Sequence, residues 1–463
     1  DSTYRYSNQN IRLKWKHDYT SKFYHVWSAG VDDYTYSLQG SNNPLDAFDL
    51  KFGVRQYGLK ADFKFIPDNR NEVNFGAQQL LYQLQPGSIQ PKDPASLIAT
   101  KLIPKEQATE TSVYLGDQFR ITDHLSVQGG IRYTLYRFLG PYVLNQYVPG
   151  LPREETTVTG TEKFAKGKLV QSYQGPEFRA SARWLFSEQT SVKISYHTIR
   201  QFIHMITNTS ALSPTDIWKL SDAHIRPQVG QQLSVGLYIQ PGKKGVEISL
   251  EGYYKTSRNY LDYKSGARLI LNQNLEQDVF ATAGKAYGIE AQVKRTQGKL
   301  NGWLSYTYLR SLLKSNDPLA GELINEGRYY PANFDKPHIV SLVGNYKFTQ
   351  RFSISLTATY STGRPLTLPI ATYTLAGAPR VYYSERNAYR IPDFFRTDFS
   401  MVIENSHNQK KKFHGSWILG VYNITGRDNP YSVYFQQENG VIKGYQLSVF
   451  AVPIPFVSFN LKF

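Results

Sequence analysis

Arginine and tyrosine side chains are concentrated in one polar segment, residues 363–394. Guanidinium groups pair with carboxylates and phosphates in a fixed fork geometry and also stack on aromatic rings. This mixture predicts a binding surface for an anionic or aromatic ligand, although contact with a phosphorylated surface lipid or packing between loops would use the same residues. The candidates are Arg364, Arg380, Arg386 and Arg390, with Tyr373, Tyr382, Tyr383 and Tyr389.

The sequence contains no arrangement typical of an enzyme. It has no cysteine, no HExxH motif and no phosphate-binding loop. His197 and His204 lie an odd number of positions apart in the sequence, so a β-strand would place them on opposite faces, and joint metal binding is not expected. We therefore expect no catalytic residues, no metal ion and no cofactor.

The formal net charge of +16 is dispersed along the chain, and Lys410–Lys412 is the only run of basic residues. Proteins that bind nucleic acid usually concentrate their charge in one patch, so no nucleic-acid partner is expected. Dispersed positive charge suits lipid phosphates, including those of lipopolysaccharide, or an anionic ligand.

Apolar and polar residues alternate with a period of two in many segments, which predicts amphipathic strands. Residues 229–239 and 246–255 alternate in this way, and Val457, Phe459, Leu461 and Phe463 share one face of the last segment. No apolar run is long enough for a spanning helix, so a membrane location requires a β-barrel. The 35 Tyr and 25 Phe residues suit the aromatic girdles of such barrels.

Short turns alternate with long polar connections, as in an all-β transmembrane antiparallel barrel rather than a sandwich. We count 17 strands, or 18 if Pro453–Pro455 is a turn rather than a kink in a long last strand. Complete bacterial barrels have an even number of strands. We therefore expect residues 1–463 to be the carboxyl-terminal part of a barrel of about 22 strands, with the first strands and a plug domain upstream.

A second candidate for ligand contact is the segment Pro214–Trp218, through Asp216 and Trp218. An exposed aromatic side chain is a good anchor for a partner. Alternatively, Trp218 fixes its loop at the barrel mouth, because Trp and Tyr collect at membrane interfaces.

Short motifs, in a characteristic order, resemble the barrel of TonB-dependent outer-membrane receptors, particularly those of Bacteroidetes. They cover roughly residues 107–463. The motifs are Pro214–Trp218, Ile225–Gln228, Glu251–Lys255, Tyr287–Glu290, Gly302–Tyr308, Tyr330–His338, Tyr360–Pro365, Arg396–Asp398, Tyr422–Asn423, Asn429–Tyr431 and the terminal Phe463.

The resemblance implies a receptor in the outer membrane of a Gram-negative bacterium that imports a ligand with energy from the TonB complex. That complex would act through a plug domain, which no region of this chain matches. A surface lipoprotein or other outer-membrane subunits are possible further partners. The alternative function is a passive, plugless porin or a structural barrel subunit of a larger assembly. The sequence does not distinguish among iron chelates, vitamins, glycans and peptides as the ligand.

Removing Phe463 is expected to impair assembly more than any single loop substitution. The residue ends an amphipathic strand that must pair to satisfy its edge, and in the resembling family a terminal aromatic is part of the insertion signal. Yield and heat stability of the assembled protein, with and without Phe463, measure the effect. Unchanged values would refute this role.

Overall fold

The computed structural model describes residues 2–40, 43–206, 217–242, 245–315, 317–375, 378–404, 414–438, 441–449 and 451–462. Within these ranges no helix is long and apolar enough to cross a membrane. The helical elements described are single 3₁₀ turns at Pro44–Asp46, Glu155–Thr157 and Leu275–Gln277, while Ile324–Gly327 is a turn in which Asn325 and Glu326 have positive φ. The remaining regular structure is β-sheet.

Within the described residues, seventeen long strands form one antiparallel sheet. They are β1 (Ser2–Thr20), β2 (Phe23–Gly40), β3 (Phe48–Phe65), β4 (Asn71–Pro91), β5 (Glu106–Arg120), β6 (Leu125–Leu139), β7 (Leu169–Ser187), β8 (Thr190–Gln201), β9 (Gln228–Ile239), β10 (Val246–Tyr263), β11 (Val279–Arg295), β12 (Leu300–Ser315), β13 (His338–Lys347), β14 (Phe352–Ser361), β15 (Phe394–Glu404), β16 (His414–Tyr422) and β17 (Ile454–Lys462).

Each long strand pairs with its neighbour in sequence, from β1 to β17. The predicted count of 17 is therefore confirmed. The prediction of a long, kinked last strand is wrong. β17 begins at Ile454, and the residues before it form a separate hairpin of Pro430–Glu438 with Val441–Ser448. Both segments alternate with a period of two, and this signal does not distinguish a hairpin in a loop from a strand of the sheet.

The alternation of short and long connections is also confirmed. Turns such as 21–22 and 188–189 join strands at one end of the sheet. At the other end, connections such as 140–168 and 362–393 carry small hairpins of their own. The turn predicted at 405–412 lies outside the described residues. All the long connections therefore gather at one end, where their side chains can meet.

One face of the sheet is apolar and exposed. Its members stand opposite one another across neighbouring strands: Leu233 faces Tyr254, Val293 faces Leu304, and Trp417 faces Phe459. Leu233 is 50% exposed and Val293 is 48% exposed. An exposed apolar band that crosses many strands is typical of a surface that faces lipid.

The opposite face is polar and carries charged groups that contact one another. The Arg132 guanidinium lies 3.5 Å from a carboxylate oxygen of Glu110 and 3.8 Å from one of Glu177. Glu251 stands directly opposite Glu290. Ionised groups at this density require water or partners, so this face lines an aqueous space. The predicted division of the two faces is confirmed.

The two faces should respond differently to a new charge at adjacent positions. Leu250 is 47% exposed on the apolar face, so Leu250→Arg should cost about 2–4 kcal/mol of folding free energy at the bilayer midplane. Ser249 lies on the polar face between Tyr238 and Gln292, so Ser249→Arg should cost little. Folding titrations in lipid vesicles measure both. A penalty at Ser249 equal to or above that at Leu250 would invert the assignment.

Candidate functional site

The connection between β8 and β9 folds back over the polar face of the sheet. Its strands Ile203–Ile206 and Ile217–Leu220 form a hairpin. Where the hairpin packs, the otherwise polar face of the sheet carries apolar side chains. They come from alternate residues of β4, β5 and β6, namely Leu84, Ala108, Tyr136 and Phe138. The Phe202 ring stacks on that of Tyr136 with 4.6 Å between centroids. The hairpin, called the inner hairpin below, is therefore fixed to the wall by apolar packing.

A buried lysine joins the inner hairpin to the sheet and to its own loop. Lys219 Nζ lies 2.5 Å from Glu106 Oε1 on β5 and 2.7 Å from Asp222 Oδ2. The second oxygen of Glu106 accepts a hydrogen bond of 3.0 Å from the backbone N–H of Leu220. Two carboxylates thus surround one ammonium group in a site from which water is nearly excluded. Removing either carboxylate or the ammonium group from such a buried site is expected to destabilise the fold, because the remaining charge would be buried without its partner.

Asp222 organises the turn that follows. Burial alone would raise the pKa of its carboxyl, but Lys219 and the backbone N–H groups of Ile225 and His224 outweigh burial and lower it. Those two N–H groups donate to Oδ1 at 2.9 and 2.8 Å. The Tyr142 hydroxyl donates to Oδ2 at 3.1 Å. The ionised carboxylate therefore fixes both the inner hairpin and the start of β9.

The histidine and tryptophan singled out in the sequence lie in this loop. His204 Nε2 is 2.9 Å from Ser221 Oγ, and burial lowers the pKa of His204 to about 4, so the ring is neutral near pH 7. Trp218 is half-buried against the apolar cluster. Asp216 lies outside the described residues. The ligand role of Trp218 stays a prediction, and its observed contacts are those of an anchor.

Two of the predicted arginines hold loops together. Arg386 Nη1 donates to Asp262 Oδ1 at 3.2 Å and to the Tyr263 carbonyl at 2.7 Å. Arg390 pairs with the Asp335 carboxylate and donates to the backbone carbonyl of Asp335 at 2.7 Å. Asp335 has no exposed surface and also accepts from Arg310. These contacts join the connection that follows β14 to the end of β10 and to the connection that follows β12.

Three other candidates share one face of an exposed hairpin, formed by Pro369–Leu375 and Ala378–Tyr383. Tyr373 stands opposite Arg380, and Tyr382 follows two residues later on the same face. Tyr373 is 49% exposed and Tyr382 is 59% exposed. Tyr383 is also exposed, but the strand register shifts beside it. This outer hairpin places Arg380 and two exposed tyrosines on one face, a set of residue types suited to anions and flat ligands.

Arg364 lies apart from the outer hairpin, beside a cavity on the polar face. Lys336 and Arg396 line the same cavity of about 340 Å³. The structure therefore separates the arginines predicted as one surface into three places: the loop contacts, the outer hairpin and this cavity. Across the described residues, no group of three or more His, Asp or Glu side chains is arranged to hold a metal ion.

Residues 1–424 match the family model described as TonB dependent receptor-like, beta-barrel. The chain belongs to this family. Its sheet therefore belongs to an outer-membrane β-barrel with the polar face toward the lumen, and the family is one of transporters rather than enzymes. The family resemblance inferred from the motifs is confirmed at this level. A search of curated protein sequences found no significant match.

Solved structures of receptors share the fold. The ferric-catecholate import receptor Fiu of E. coli K12, in its closed form, is 13% identical with a TM-score of 0.61, covering 99% of this chain and 64% of that one. The pyoverdine receptor FpvA of Pseudomonas aeruginosa is 12% identical (TM-score 0.62; 99% and 62%). BauA, the ferric preacinetobactin receptor of Acinetobacter baumannii, is 12% identical (TM-score 0.60; 99% and 63%). The chain thus spans less than two thirds of each receptor's length.

Sequence reasoning missed the residues that shape the barrel mouth. Lys219, Glu106 and Asp222 meet only after the loop folds back, and Lys219 is separated from Glu106 by 113 positions. The one local signal is a lysine within the otherwise apolar segment Ile217–Leu220. That signal is weak, because a single charge in a loop strand is usually solvated.

Lys219→Met should loosen the inner hairpin, because two buried carboxylates would lose their cation. Removing one partner of a buried pair costs about 3–5 kcal/mol, so amide hydrogen exchange in 217–222 should accelerate by roughly a hundred-fold or more. Lys255→Met is the matched control, since Lys255 is an exposed lysine on the lumen side of β10. Equal exchange rates in the two variants would contradict a stabilising role for the buried lysine.

Proposed function

We propose that this chain forms the barrel of a receptor that imports a ligand across the outer membrane with energy from the TonB complex. The observation that carries the proposal is membership of the TonB-dependent receptor barrel family over residues 1–424. A water-lined lumen and a mouth crossed by folded loops support it, because both are needed to admit a bound ligand and to exclude free diffusion.

We propose that a plug domain and about five further strands lie upstream of this chain. The odd number of 17 strands supports this, since complete bacterial barrels have an even number. The similar receptors are also longer than the chain, which spans 64% of the first of them. The TonB complex would act on that plug.

The outer hairpin is the proposed site of first contact with the ligand, through Tyr373, Arg380 and Tyr382, with Tyr383 beside them. Their exposure leaves the rings and the guanidinium accessible from outside. Arg386, Arg390 and Trp218 would serve by holding the loops in place, because their observed partners are other parts of the chain. Asp216 remains a candidate by its position in the sequence alone.

Iron chelates are the first class of ligand to test, because Fiu is named as a ferric-catecholate import receptor and BauA as a ferric preacinetobactin receptor. Vitamins, glycans and peptides follow. The ordered motifs, such as Tyr330–His338, support an origin in Bacteroidetes, and a surface lipoprotein is then a further proposed partner. Contact of the dispersed basic side chains with lipopolysaccharide is supported by the net charge of +16.

Uptake assays test the proposal directly. Cells that lack this protein should fail to accumulate one ligand class, and restoring the full-length gene should restore uptake. A protonophore or loss of TonB should abolish that uptake, because the energy comes from the inner membrane. Uptake that persists without TonB would instead assign the passive porin function.

Arg380→Ala should lower uptake at subsaturating ligand concentration by about ten-fold, the effect of losing one charge-assisted contact at an interface. Tyr434→Ala is the control. Tyr434 lies on the separate hairpin that precedes β17, and its side chain is 47% exposed, about as much as that of Tyr373 on the outer hairpin. Wild-type uptake by Arg380→Ala cells would exclude the outer hairpin as the contact site while leaving the transport function intact.

A further inference from the structure

The outward face of β10, β11 and β12 changes character toward the end that carries the long connections. Tyr254 stands opposite Tyr287 on this face. Two residues nearer that end of β11, and on the same face, is Lys285, while Lys314 of β12 stands one step beyond it, opposite Ala283. Aromatic side chains are thus followed by basic ones in the direction that leaves the membrane. Because aromatic residues mark the interface of such barrels, the two lysines lie at the level of the lipid headgroups.

Both lysines contact the ring of one tyrosine. Lys285 Nζ lies 3.8 Å from the centroid of the Tyr329 ring, and Lys314 Nζ lies 5.8 Å from the same centroid. An aromatic ring attracts an ammonium group at these distances. The next residue, Tyr330, pairs with Leu313 of β12 and is buried with it in an inner apolar cluster, whereas Tyr329 is 44% exposed. The buried neighbour fixes the exposed ring, and the ring holds the two ammonium groups near each other.

The two ammonium groups have no counter-charge among the described residues. Neither forms an ion pair there, and the same is true of Arg258, which follows Tyr254 on the outward side of β10. Arg310, on the same face of β12, is instead paired with Asp335. Glu326, in the connection that follows β12, is paired with Arg328. Because like charges held close together repel, an anion placed between the two lysines would be stabilising.

We propose that Lys285, Lys314 and Tyr329 form a binding site for the phosphate groups of a glycolipid in the outer leaflet. The two ammonium groups pair with phosphate oxygens, and Arg258 supplies a further donor at the edge of the site. Lipid is the occupant that the position favours, because the site lies on the same face as the apolar band and beside its aromatic border. The inference rests on the proposed contact with lipopolysaccharide and deepens it, since one defined site replaces dispersed charge.

Diphosphoryl lipid A is the probe, with the dephosphorylated glycolipid and inorganic phosphate as comparisons. Native mass spectrometry of the purified full-length protein in detergent should show diphosphoryl lipid A bound about ten-fold more tightly than the dephosphorylated lipid, because only the first offers anionic oxygens. Equal retention of the two lipids would overturn the recognition of phosphate. Displacement of the lipid by an equal concentration of inorganic phosphate would overturn the assignment to a membrane lipid.

Two substitutions and a matched control locate the bound lipid. Lys285→Gln and Lys314→Gln should each weaken the binding of diphosphoryl lipid A by about five-fold, and the double variant by roughly twenty-fold or more, since each basic residue near lipid phosphate contributes a similar amount. Lys255→Gln should leave binding unchanged, because Lys255 precedes Thr256 on β10 and faces the lumen at the same level. Wild-type affinity in the double variant, or an equal loss in Lys255→Gln, would overturn the site.

Two substitutions of Tyr329 test the part played by the ring. Tyr329→Phe keeps an aromatic face and should bind diphosphoryl lipid A like the wild type, whereas Tyr329→Ala should bind it about three-fold more weakly. Equal affinities of these two variants would contradict the role of the ring in holding the lysines. Melting temperatures equal to that of the wild type show that the variants fold.

The binding measurement uses purified protein and no energy source, so its failure leaves the uptake assay unaffected. Conversely, TonB-independent uptake would refute the proposed transport function without altering the binding of diphosphoryl lipid A.

Discussion

Hydrocarbon offers no hydrogen-bond partner, and this constraint governs the whole chain. Every backbone N–H and C=O group within a bilayer must be satisfied by the protein itself, which leaves spanning helices or paired strands as the solutions. Because strand side chains alternate between two faces, the same constraint divides the sequence into lipid-facing and water-facing residues. The pairing of Leu233 with Tyr254 on one face and the approach of Arg132 to Glu110 on the other are its direct consequences.

The water-facing surface then creates a second requirement at the mouth of the barrel. Loops that fold into the lumen must bury their own polar groups, and the inner hairpin does so by surrounding Lys219 with Glu106 and Asp222. Replacing all the charged members of such a buried set together by apolar residues is often neutral for stability, whereas removing one of them is destabilising. The contribution of this charged set is to the position of the loop, because two carboxylates on different elements fix the ammonium group of the lysine and with it the path of the loop. Arg390 with Asp335 does the same on another wall.

The sequence predicted what depends on local periodicity. Alternation located the strands, and connection lengths assigned the two ends, because both signals are contained within about ten residues. The same signal wrongly extended the last strand to residues before Pro453, since a hairpin in a loop alternates like a strand of the sheet. The partners of Arg386 were beyond reach, because Asp262 lies 124 positions away. Composition could gather the arginines of residues 363–394 into one candidate surface, but only tertiary contacts could separate them.

That separation carries a consequence for recognition. An arginine whose guanidinium already meets a buried carboxylate, like Arg386 or Arg390, has part of its donor fork committed and binds further anions less well. Arg380 stands opposite Tyr373 on an exposed hairpin, away from these contacts. The chain thus uses one residue type both to join loops at the mouth and to place positive charge on an exposed hairpin. The contacts between loops and the exposed positive charge therefore depend on different arginines.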